Sequence, residues 1–192
     1  MSKHSSDLNN LISHIALYDS ESAYKQFFKY LFPVLYRFSY CLLKSKELSE
    51  EVASDVMITL WKNRKNLPEL ENVKVYALVI ARNLSLNVLN KHSRHELVSI
   101  DDIEIEVALD SLNPEQLLIN GELKKRLEQA TQSLPDKCKM VFKLIKEDGL
   151  SYKETASLLN ISVKTVDAHL VTALKKLALV LHMEVNLLWL GI

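Results

Sequence analysis

Residues 149–170, with the sequence GLSYKETASLLNISVKTVDAHL, decide the fold of the C-terminal part of the chain. Ser151 and Glu154 have the S-x-x-E spacing of a capping box, which predicts that a helix begins at Ser151. Asn160 follows a short apolar stretch and tolerates the left-handed backbone that a tight turn needs. Ser162 then caps a second helix. The stretch therefore predicts a helix-turn-helix whose second helix lies in the major groove of DNA.

The apolar pattern of the same stretch supports two crossing helices. Ala156 is small where the helices must approach closely, and the apolar side chains of the second helix point inward. Lysines at its outer positions suit phosphates, and polar residues near its start suit base edges. A helical hairpin that does not bind DNA is the alternative. The candidate DNA contacts are Ser162, Lys164, Thr165, Ala168, His169, Thr172, Lys175 and Lys176.

The N-terminal part also predicts helices. Apolar residues recur there at three- and four-residue steps, which places them on one helical face. Pro33 interrupts this face and predicts a kink or a boundary. A second helix is predicted over residues 48–62, capped by Ser49 and with Glu50 and Glu51 in its first turn. The members of the first apolar face are Phe27, Phe28, Leu31, Val34, Leu35, Phe38 and Leu42.

A polar loop and a third long helix are predicted next. The loop covers residues 63–72 and contains Pro68. The helix runs from Val73 to about Asn90 and ends in basic and amide residues. Its predicted inward side consists of Tyr76, Ile80, Leu84 and Val88. Later in the chain, helices are predicted over residues 115–133 and 136–146, the second ending at Asp148-Gly149.

The charge of the chain is unevenly distributed, although 24 basic and 24 acidic side chains cancel overall. Residues 1–95 hold 13 basic and 9 acidic side chains, and residues 121–192 hold 11 and 8. Residues 96–120 hold 7 acidic side chains and no basic one. We therefore expect an all-α chain with a domain at 1–95, an acidic linker at 96–113 and a second domain at 114–192. The zero net charge excludes a strongly basic, autonomous DNA binder.

Composition excludes several other classes of protein. With 3 glycines there is neither a P-loop nor a G-x-G-x-x-G turn. Cys41 and Cys138 form no C-x-x-C pair, and the H-x-x-H of His92 and His95 lacks a third ligand, so no metal or other cofactor is expected. No nucleophile, base and orienting group cluster, which argues against an enzyme. The N-terminus has no apolar signal core and no run reaches a membrane span, so we expect a cytoplasmic protein.

Two further motifs give the chain a family resemblance. The helix-turn-helix resembles both the C-terminal domain of LuxR-type regulators and region four of sigma factors. Residues 48–61, LSEEVASDVMITLW, resemble region two of the sigma-70 family, with an acidic start, an Asp and a closing Trp. Residues 75–84, VYALVIARNL, resemble its continuation. Nothing between the motifs is large enough for region three. The chain is therefore similar to the extracytoplasmic-function (ECF) sigma factors.

The resemblance implies roles for residues of the N-terminal domain. Its first motif helix would dock on the clamp helices of the polymerase β′ subunit, and the following loop and helix would read the melted minus-ten element. Val56 and Trp61 can also be read as core residues. The implied polymerase contacts are Glu51, Asp55, Val56, Thr59 and Trp61. The implied minus-ten contacts are Lys74, Tyr76, Arg82, Asn83, Asn87, Lys91 and Arg94.

The resemblance also implies function and partners. The chain would bind core RNA polymerase through the β′ clamp helices and the β flap, recognise promoter DNA and assist its melting. The helix-turn-helix would read the minus-thirty-five element. An anti-sigma factor, often a membrane-anchored one in this family, is a further implied partner. The acidic linker would lie along the RNA path or serve as a solvated tether. The apolar tail, residues 178–192, would pack on its own domain or contact an anti-sigma protein. A LuxR-like regulator acting without core polymerase and a protein-only adaptor are the alternatives.

Overall fold

The computed structural model describes residues 3–92 and 129–180 of the 192-residue chain. The chain divides into two compact units, Met1–Ile103 and Glu104–Ile192. Within the described residues all regular elements are helical, which confirms the predicted all-α class. The predicted acidic linker, Arg94, His95 and most of the apolar tail lie outside the described residues.

In residues 3–92, the N-terminal unit is a bundle of four α-helices and one 3₁₀ helix. Its α-helices are α1 (Lys3–Tyr18), α2 (Glu21–Leu43), α3 (Lys46–Lys62) and α4 (Val73–His92). The 3₁₀ helix spans Arg64–Glu69 and connects α3 to α4. Helix α2 lies at the centre of the unit, because it packs against α1, α3 and α4.

Helix α2 continues through Pro33, so the predicted boundary at that residue is wrong. Pro33 lies on the exposed side of α2, and the helix ends only at Leu43, before Lys44 in left-handed conformation. The predicted apolar face is buried except for one member. Phe28 is 36% exposed and stacks on Phe32 with ring centroids 4.7 Å apart. The periodicity thus located the core of α2, with Phe28 at its edge.

Helix α1 is an element that we did not predict. Its sequence is mostly polar, yet Ile12 and Ile15 are 3% and 0% exposed. The two residues are separated by about one helical turn, so they face the bundle together. The helix packs against α2 and against the 3₁₀ helix. Leu8, Leu11, Ile12 and Ile15 recur at three- and four-residue steps, so this helix carries a periodic signal that our prediction missed.

The N-terminus of α3 differs from the prediction. The cap is Ser45 rather than Ser49, because the Ser45 hydroxyl accepts a hydrogen bond from the Leu48 amide at 3.3 Å. Ser45 also donates to the Glu47 carboxylate at 2.9 Å. Hydrogen bonds from the Glu47 backbone amide and from this hydroxyl lower the pKa of Glu47. Ser49 is completely buried and donates to the Ser45 carbonyl.

The segment between α3 and α4 is ordered by one buried leucine. Residues 63–72, predicted as a polar loop, contain the 3₁₀ helix, and Leu67 is 1% exposed. Asn72 then caps α4, because its Oδ1 accepts a hydrogen bond from the Val75 amide at 3.2 Å. The segment is therefore anchored in the bundle at Leu67.

The buried side of α4 also differs from the predicted side. Tyr76, Ile80, Leu84 and Val88 are only partly buried. The fully buried side consists largely of small side chains, which let helices approach each other closely. Its members are Val73, Ala77, Leu78, Ala81 and Ser85. The sequence analysis assigned the wrong side of α4 to the core because it relied on large apolar residues. The side that is buried carries mostly small residues, whose hydrophobicity is weak.

The C-terminal unit contains three α-helices in its described part. They are α5 (Asp136–Phe142), α6 (Tyr152–Leu159) and α7 (Val163–Val180), and residues 129–132 are also helical. Cys138 of α5 and two α7 residues form a buried cluster with Ala130 and Leu134. Of the predicted helix over residues 115–133, only this end lies within the described residues.

Helix α5 ends differently from the predicted regular helix over residues 136–146. It continues as a single π turn, Lys143–Glu147, in which the Asp148 amide donates to the Lys143 carbonyl at 2.9 Å. Gly149 follows with φ of +76°, a conformation that glycine adopts without steric cost. The predicted glycine stop is therefore present, after a wider turn than we expected.

Candidate nucleic-acid interface

The first helix of the helix-turn-helix begins with a complete capping box. The Ser151 hydroxyl accepts a hydrogen bond from the Glu154 amide at 3.2 Å. In return, the Glu154 carboxylate accepts one from the Ser151 amide at 2.7 Å. Both donors would otherwise lack a partner at the start of a helix. The prediction from the S-x-x-E spacing is confirmed, and helix α6 spans Tyr152–Leu159.

The turn between α6 and α7 is set by Asn160. Its backbone is left-handed, with φ 57° and ψ 41°, as the sequence predicted. The Ile161 amide donates to the Ala156 carbonyl at 3.0 Å, which closes the end of α6. Ala156 is 5% exposed and Val166 of α7 is 0% exposed. The two helices therefore meet through small and apolar side chains, as expected for a helix-turn-helix.

Helix α7 has one buried side and one exposed side. Val166, Leu170, Ala173 and Leu177 are 5% exposed or less. They recur at three- and four-residue steps and therefore share the side that faces the core. The opposite side is exposed and carries predicted DNA contacts at similar steps. Its members are Lys164, Ala168, Thr172 and Lys175.

The other predicted DNA contacts of this helix do not stand on its exposed side. Their side chains either form hydrogen bonds within the protein or lie at the edge of that side. The Ser162 hydroxyl caps α7 by accepting from the Thr165 amide at 3.0 Å, and the two hydroxyls are 2.8 Å apart. His169 is half-buried, and its Nδ1 lies 3.6 Å from the Cys138 sulfur. Burial raises the pKa of the Cys138 thiol, although the charge of Lys176 opposes this. His169 thus flanks the exposed stripe and contacts α5.

Helix α3 exposes an acidic stripe with one apolar residue. Glu51 and Asp55 are exposed on the side away from the core. Ile58, one turn after Asp55, shares this side and is 50% exposed. We did not predict Ile58, although an apolar residue three positions after an exposed Asp is a readable signal. Val56 is 0% exposed, so its assignment as a polymerase contact is wrong and it belongs to the core.

Thr59 and Trp61 lie on opposite flanks of this stripe. The Thr59 hydroxyl donates to the Asp55 carbonyl at 2.8 Å. The Trp61 ring is half-buried and meets the Tyr24 ring edge-to-face, with centroids 4.7 Å apart. The Arg64 guanidinium lies 4.6 Å from the centroid of the Trp61 ring. The Trp61 side chain therefore packs within the N-terminal unit rather than standing on the acidic stripe.

Helix α4 brings several of the predicted minus-ten contacts onto one side. Asn83, Asn87 and Lys91 are exposed, and Tyr76 is partly exposed. Their three- and four-residue spacing places them along one side of the helix, next to the buried side. Ile80, which we predicted to point inward, belongs to this same side and is only partly buried. We call this set of five residues the reading face of α4.

Lys74 and Arg82 do not share the reading face. The Lys74 ammonium lies 5.1 Å from the centroid of the Tyr30 ring on α2. The Arg82 side chain lies at the edge of the buried side and donates from Nη1 to the Asn83 Oδ1 at 3.4 Å. Its Nε is buried and has no hydrogen-bond partner among the described residues. Arg94 lies outside the described residues.

In residues 3–92 and 129–180, no three His, Cys, Asp or Glu side chains are grouped so as to hold a metal ion. No helix in those ranges combines the length and the apolar character needed to cross a membrane.

These features define an all-helical protein of the helix-turn-helix class with a second helical unit before it. The family description "Sigma-70 region 2" matches residues 27–95, and "Sigma-70, region 4" matches residues 124–177. The two matches occur in the order that the sequence motifs predicted. The chain belongs to the sigma-70 family, in its ECF group.

Curated relatives carry the same family name. The ECF RNA polymerase sigma factor SigW of Bacillus subtilis is 25% identical over 139 residues, covering 69% of this chain and 74% of the relative. The ECF RNA polymerase sigma-E factor of Escherichia coli K12 is 35% identical over 101 residues, covering 49% and 53%. SigE of Mycolicibacterium smegmatis is 24% identical, covering 69% and 51%. The matched part thus spans about half the length of the last two relatives.

Solved structures share the fold. The sigma factor RpoE of Bartonella quintana, in complex with the anti-sigma factor NepR, aligns with a TM-score of 0.54 and 20% identity. The alignment covers 83% of this chain and 97% of that chain. CnrH, in complex with the cytosolic domain of CnrY, aligns with a TM-score of 0.50 and 17% identity over 92% and 97% of the two chains.

Proposed function

We propose that this chain is a working ECF-type sigma factor that binds core RNA polymerase, recognises a promoter and assists its melting. The observation that carries the proposal is the occurrence of both family regions, in order, with an exposed face available in each unit. No reaction is assigned to its own side chains, so it is not an enzyme. It works in the cytoplasm, where core polymerase and promoters are found. The match to region two favours a sigma factor over a LuxR-like regulator or a protein-only adaptor.

Helix α3 binds the clamp helices of the polymerase β′ subunit in this proposal. Glu51 and Asp55 supply exposed negative charge. Ile58, one turn further along the same side of the helix, supplies an exposed apolar side chain. An apolar centre beside charged groups suits a protein interface, in which the charges steer the partner and fix the register. The second unit contacts the β flap.

The reading face of α4 binds the minus-ten element. An unpaired base can stack against an apolar or aromatic wall and pair with amides along its exposed edge. Tyr76 and Ile80 supply such walls, and Asn83 and Asn87 supply amides on the same side of the helix. Lys91 adds a positive charge for the phosphates. Lys74 and Arg82 would contact phosphates of the DNA backbone beside this face, and Arg94, which lies outside the described residues, would be a further DNA contact.

Helix α7 binds the minus-thirty-five element in the major groove. Ser162, Lys164, Thr165 and Ala168 lie at its N-terminal end, where a recognition helix meets base edges. Thr172, Lys175 and Lys176 lie further along and suit phosphates, with His169 at the flank. The domains that serve these functions are residues 1–95 and 114–192, joined by the acidic linker 96–113. The printed titles of both structural neighbours name an anti-sigma complex, which supports an anti-sigma partner here.

Reconstitution with core polymerase tests the proposal. Purified chain and core should give promoter-specific run-off transcripts from at least one genomic template. A chain that binds promoter fragments equally well without core would instead be a LuxR-like regulator. A chain that binds neither core nor DNA with any template would contradict both readings.

The polymerase face has a matched pair of variants. Asp55→Lys reverses a charge on the proposed face, and Glu50→Lys makes the same change on another side of α3. We expect Asp55→Lys to weaken core binding about tenfold and Glu50→Lys to weaken it less than about threefold. Equal losses in the two variants would show that only net charge matters, and the assignment of the face would fail.

A further inference from the structure

Arg64 joins three parts of the N-terminal unit. Its Nη1 donates to the Trp61 carbonyl at 3.0 Å, and its guanidinium carbon lies 4.6 Å from the Trp61 ring centroid. Its Nε forms an ion pair with the Asp19 carboxylate, which is 45 positions earlier in the chain. The Arg64 side chain is 23% exposed. One side chain therefore connects the end of α3 and the start of the 3₁₀ helix to the junction of α1 and α2.

The Trp61 end of this connection is itself fixed. Tyr24 of α2 meets the Trp61 ring edge-to-face, and its hydroxyl donates to the Met57 carbonyl at 2.8 Å. Burial raises the pKa of the Tyr24 phenol. A guanidinium above a packed indole has a defined position, because both groups are planar.

The Asp19 end lies in a short and restrained link. Asp19 stands between α1 and α2, and its backbone is left-handed with φ 50°. Few residues other than glycine adopt this conformation without cost. The hydrogen bond from Arg64 lowers the pKa of the Asp19 carboxyl. Asp19 is 56% exposed, so the ion pair contributes little to stability. Its effect is to fix the position of the Arg64 side chain relative to the link between α1 and α2.

The 3₁₀ helix depends on such outside contacts. Between α3 and α4, its backbone is closed by the Asn66 amide to Asn63 carbonyl bond at 3.0 Å and the Leu70 amide to Leu67 carbonyl bond at 3.2 Å. Short 3₁₀ helices have poor hydrogen-bond geometry and little stability of their own. Leu67 anchors the middle of the helix and Arg64 anchors its start.

We propose that Arg64 is a positioning residue that, through Asp19 and Trp61, holds residues 63–72 in the conformation that engages the minus-ten element. The inference rests on the proposed function, which assigns promoter melting to this unit. Asp19 contributes without touching DNA. Removing its negative charge should favour DNA binding by simple electrostatics, whereas loss of positioning should impair recognition. A purely electrostatic effect of Asp19 and a positioning role therefore predict opposite changes in promoter recognition when the Asp19 charge is removed.

The test uses full-length variants in holoenzyme, on a promoter found with the wild-type chain. The variants are Asp19→Asn, Asp19→Glu and Arg64→Lys, with Lys29→Ala as a control that removes an exposed positive charge from α2 of the same unit, outside residues 63–72. The readout is the ratio of transcript from the native promoter to transcript from one with a scrambled minus-ten element. Core affinity is measured in parallel for each variant.

We expect Asp19→Asn and Arg64→Lys to lower the ratio about fivefold, the loss that one charged contact of ordinary strength produces. Asp19→Glu should restore it to within about twofold, because it keeps a carboxylate. Lys29→Ala should leave the ratio unchanged, and Asp19→Asn should leave core affinity unchanged. An unchanged or raised ratio in Asp19→Asn, or an equal drop in Lys29→Ala, would overturn the proposal. If wild-type holoenzyme gives no specific transcript, the proposed function itself fails.

Discussion

The two units fix the helices that we propose to bind DNA by different means. Helix α7 is preceded by a capping box, a left-handed Asn160 and a serine cap, all within a short stretch of sequence. Helix α4 is held by a side of small buried residues and by neighbours far away in the chain. Local hydrogen bonds therefore define α7, whereas tertiary packing positions α4, to which Asn72 adds one local cap. Substitutions in the two units test this difference.

Overpacking should affect the N-terminal unit most. Ala81 is 0% exposed on the small-residue side of α4. Ala81→Leu should lower the free energy of unfolding by about 1–3 kcal/mol, because the added atoms have no space between the helices. Urea unfolding followed by circular dichroism measures the change. Ala168→Leu, on the exposed side of α7, is the control and should change it by less than about 0.5 kcal/mol. Equal effects would mean that α4 is not closely packed.

The turn of the helix-turn-helix should depend chiefly on the left-handed backbone at Asn160. Asn160 has φ 57°, a conformation that asparagine adopts at lower cost than alanine although both have a Cβ, so Asn160→Ala should cost about 1 kcal/mol. Asn160→Gly should cost no more than a few tenths of a kcal/mol by the same reasoning. Thermal unfolding of the two variants compares them directly. A glycine variant as unstable as the alanine one would show that the Asn side chain, rather than its backbone, is needed.

Helix α3 allows the two serines to be compared as caps. Ser45→Ala should cost about 1 kcal/mol, the usual loss for a helix cap. Ser49→Ala should cost less, because the Ser49 hydroxyl donates to the Ser45 carbonyl, and that carbonyl still accepts a hydrogen bond from the Ser49 amide in the variant. Urea unfolding midpoints of both variants measure this order. The reverse order would restore Ser49 as the dominant residue at the start of α3.

The smallest effect should be a pH dependence at Asp19. Its folded-state pKa is lowered, chiefly by the hydrogen bond from Arg64, so its contribution to stability is present above the unfolded pKa. The contribution is lost as the pH falls through the folded value. The stability difference between wild type and Asp19→Asn should therefore be constant from pH 7 to pH 5 and shrink below about pH 4. A difference that grows in acid would contradict the ion pair.

The residues that could be predicted from the sequence are those fixed by local hydrogen bonds, and those that could not be predicted are fixed by tertiary packing. Ser151, Glu154 and Asn160 were predictable because their signals are local hydrogen bonds and a local backbone conformation. The inner side of α4 was not, because Ala81 and Ser85 carry little hydrophobic signal and are buried only by the neighbouring helices. The contact of Arg64 with Asp19 was also beyond prediction, since no periodicity relates positions so far apart. Ile58, which is 50% exposed, received no assignment from the sequence, because an apolar side chain on the outer side of a helix is not distinguished from a core residue by its type.

The two sides of α4 have a consequence for evolution. The residues that hold the helix in place and the residues of its reading face form separate sets. If the reading face binds promoter DNA as proposed, substitutions on it can change which promoter is recognised without creating a cavity or a clash in the core. New specificities become accessible by single changes that the fold tolerates, and the small buried residues can stay the same while regulons diverge.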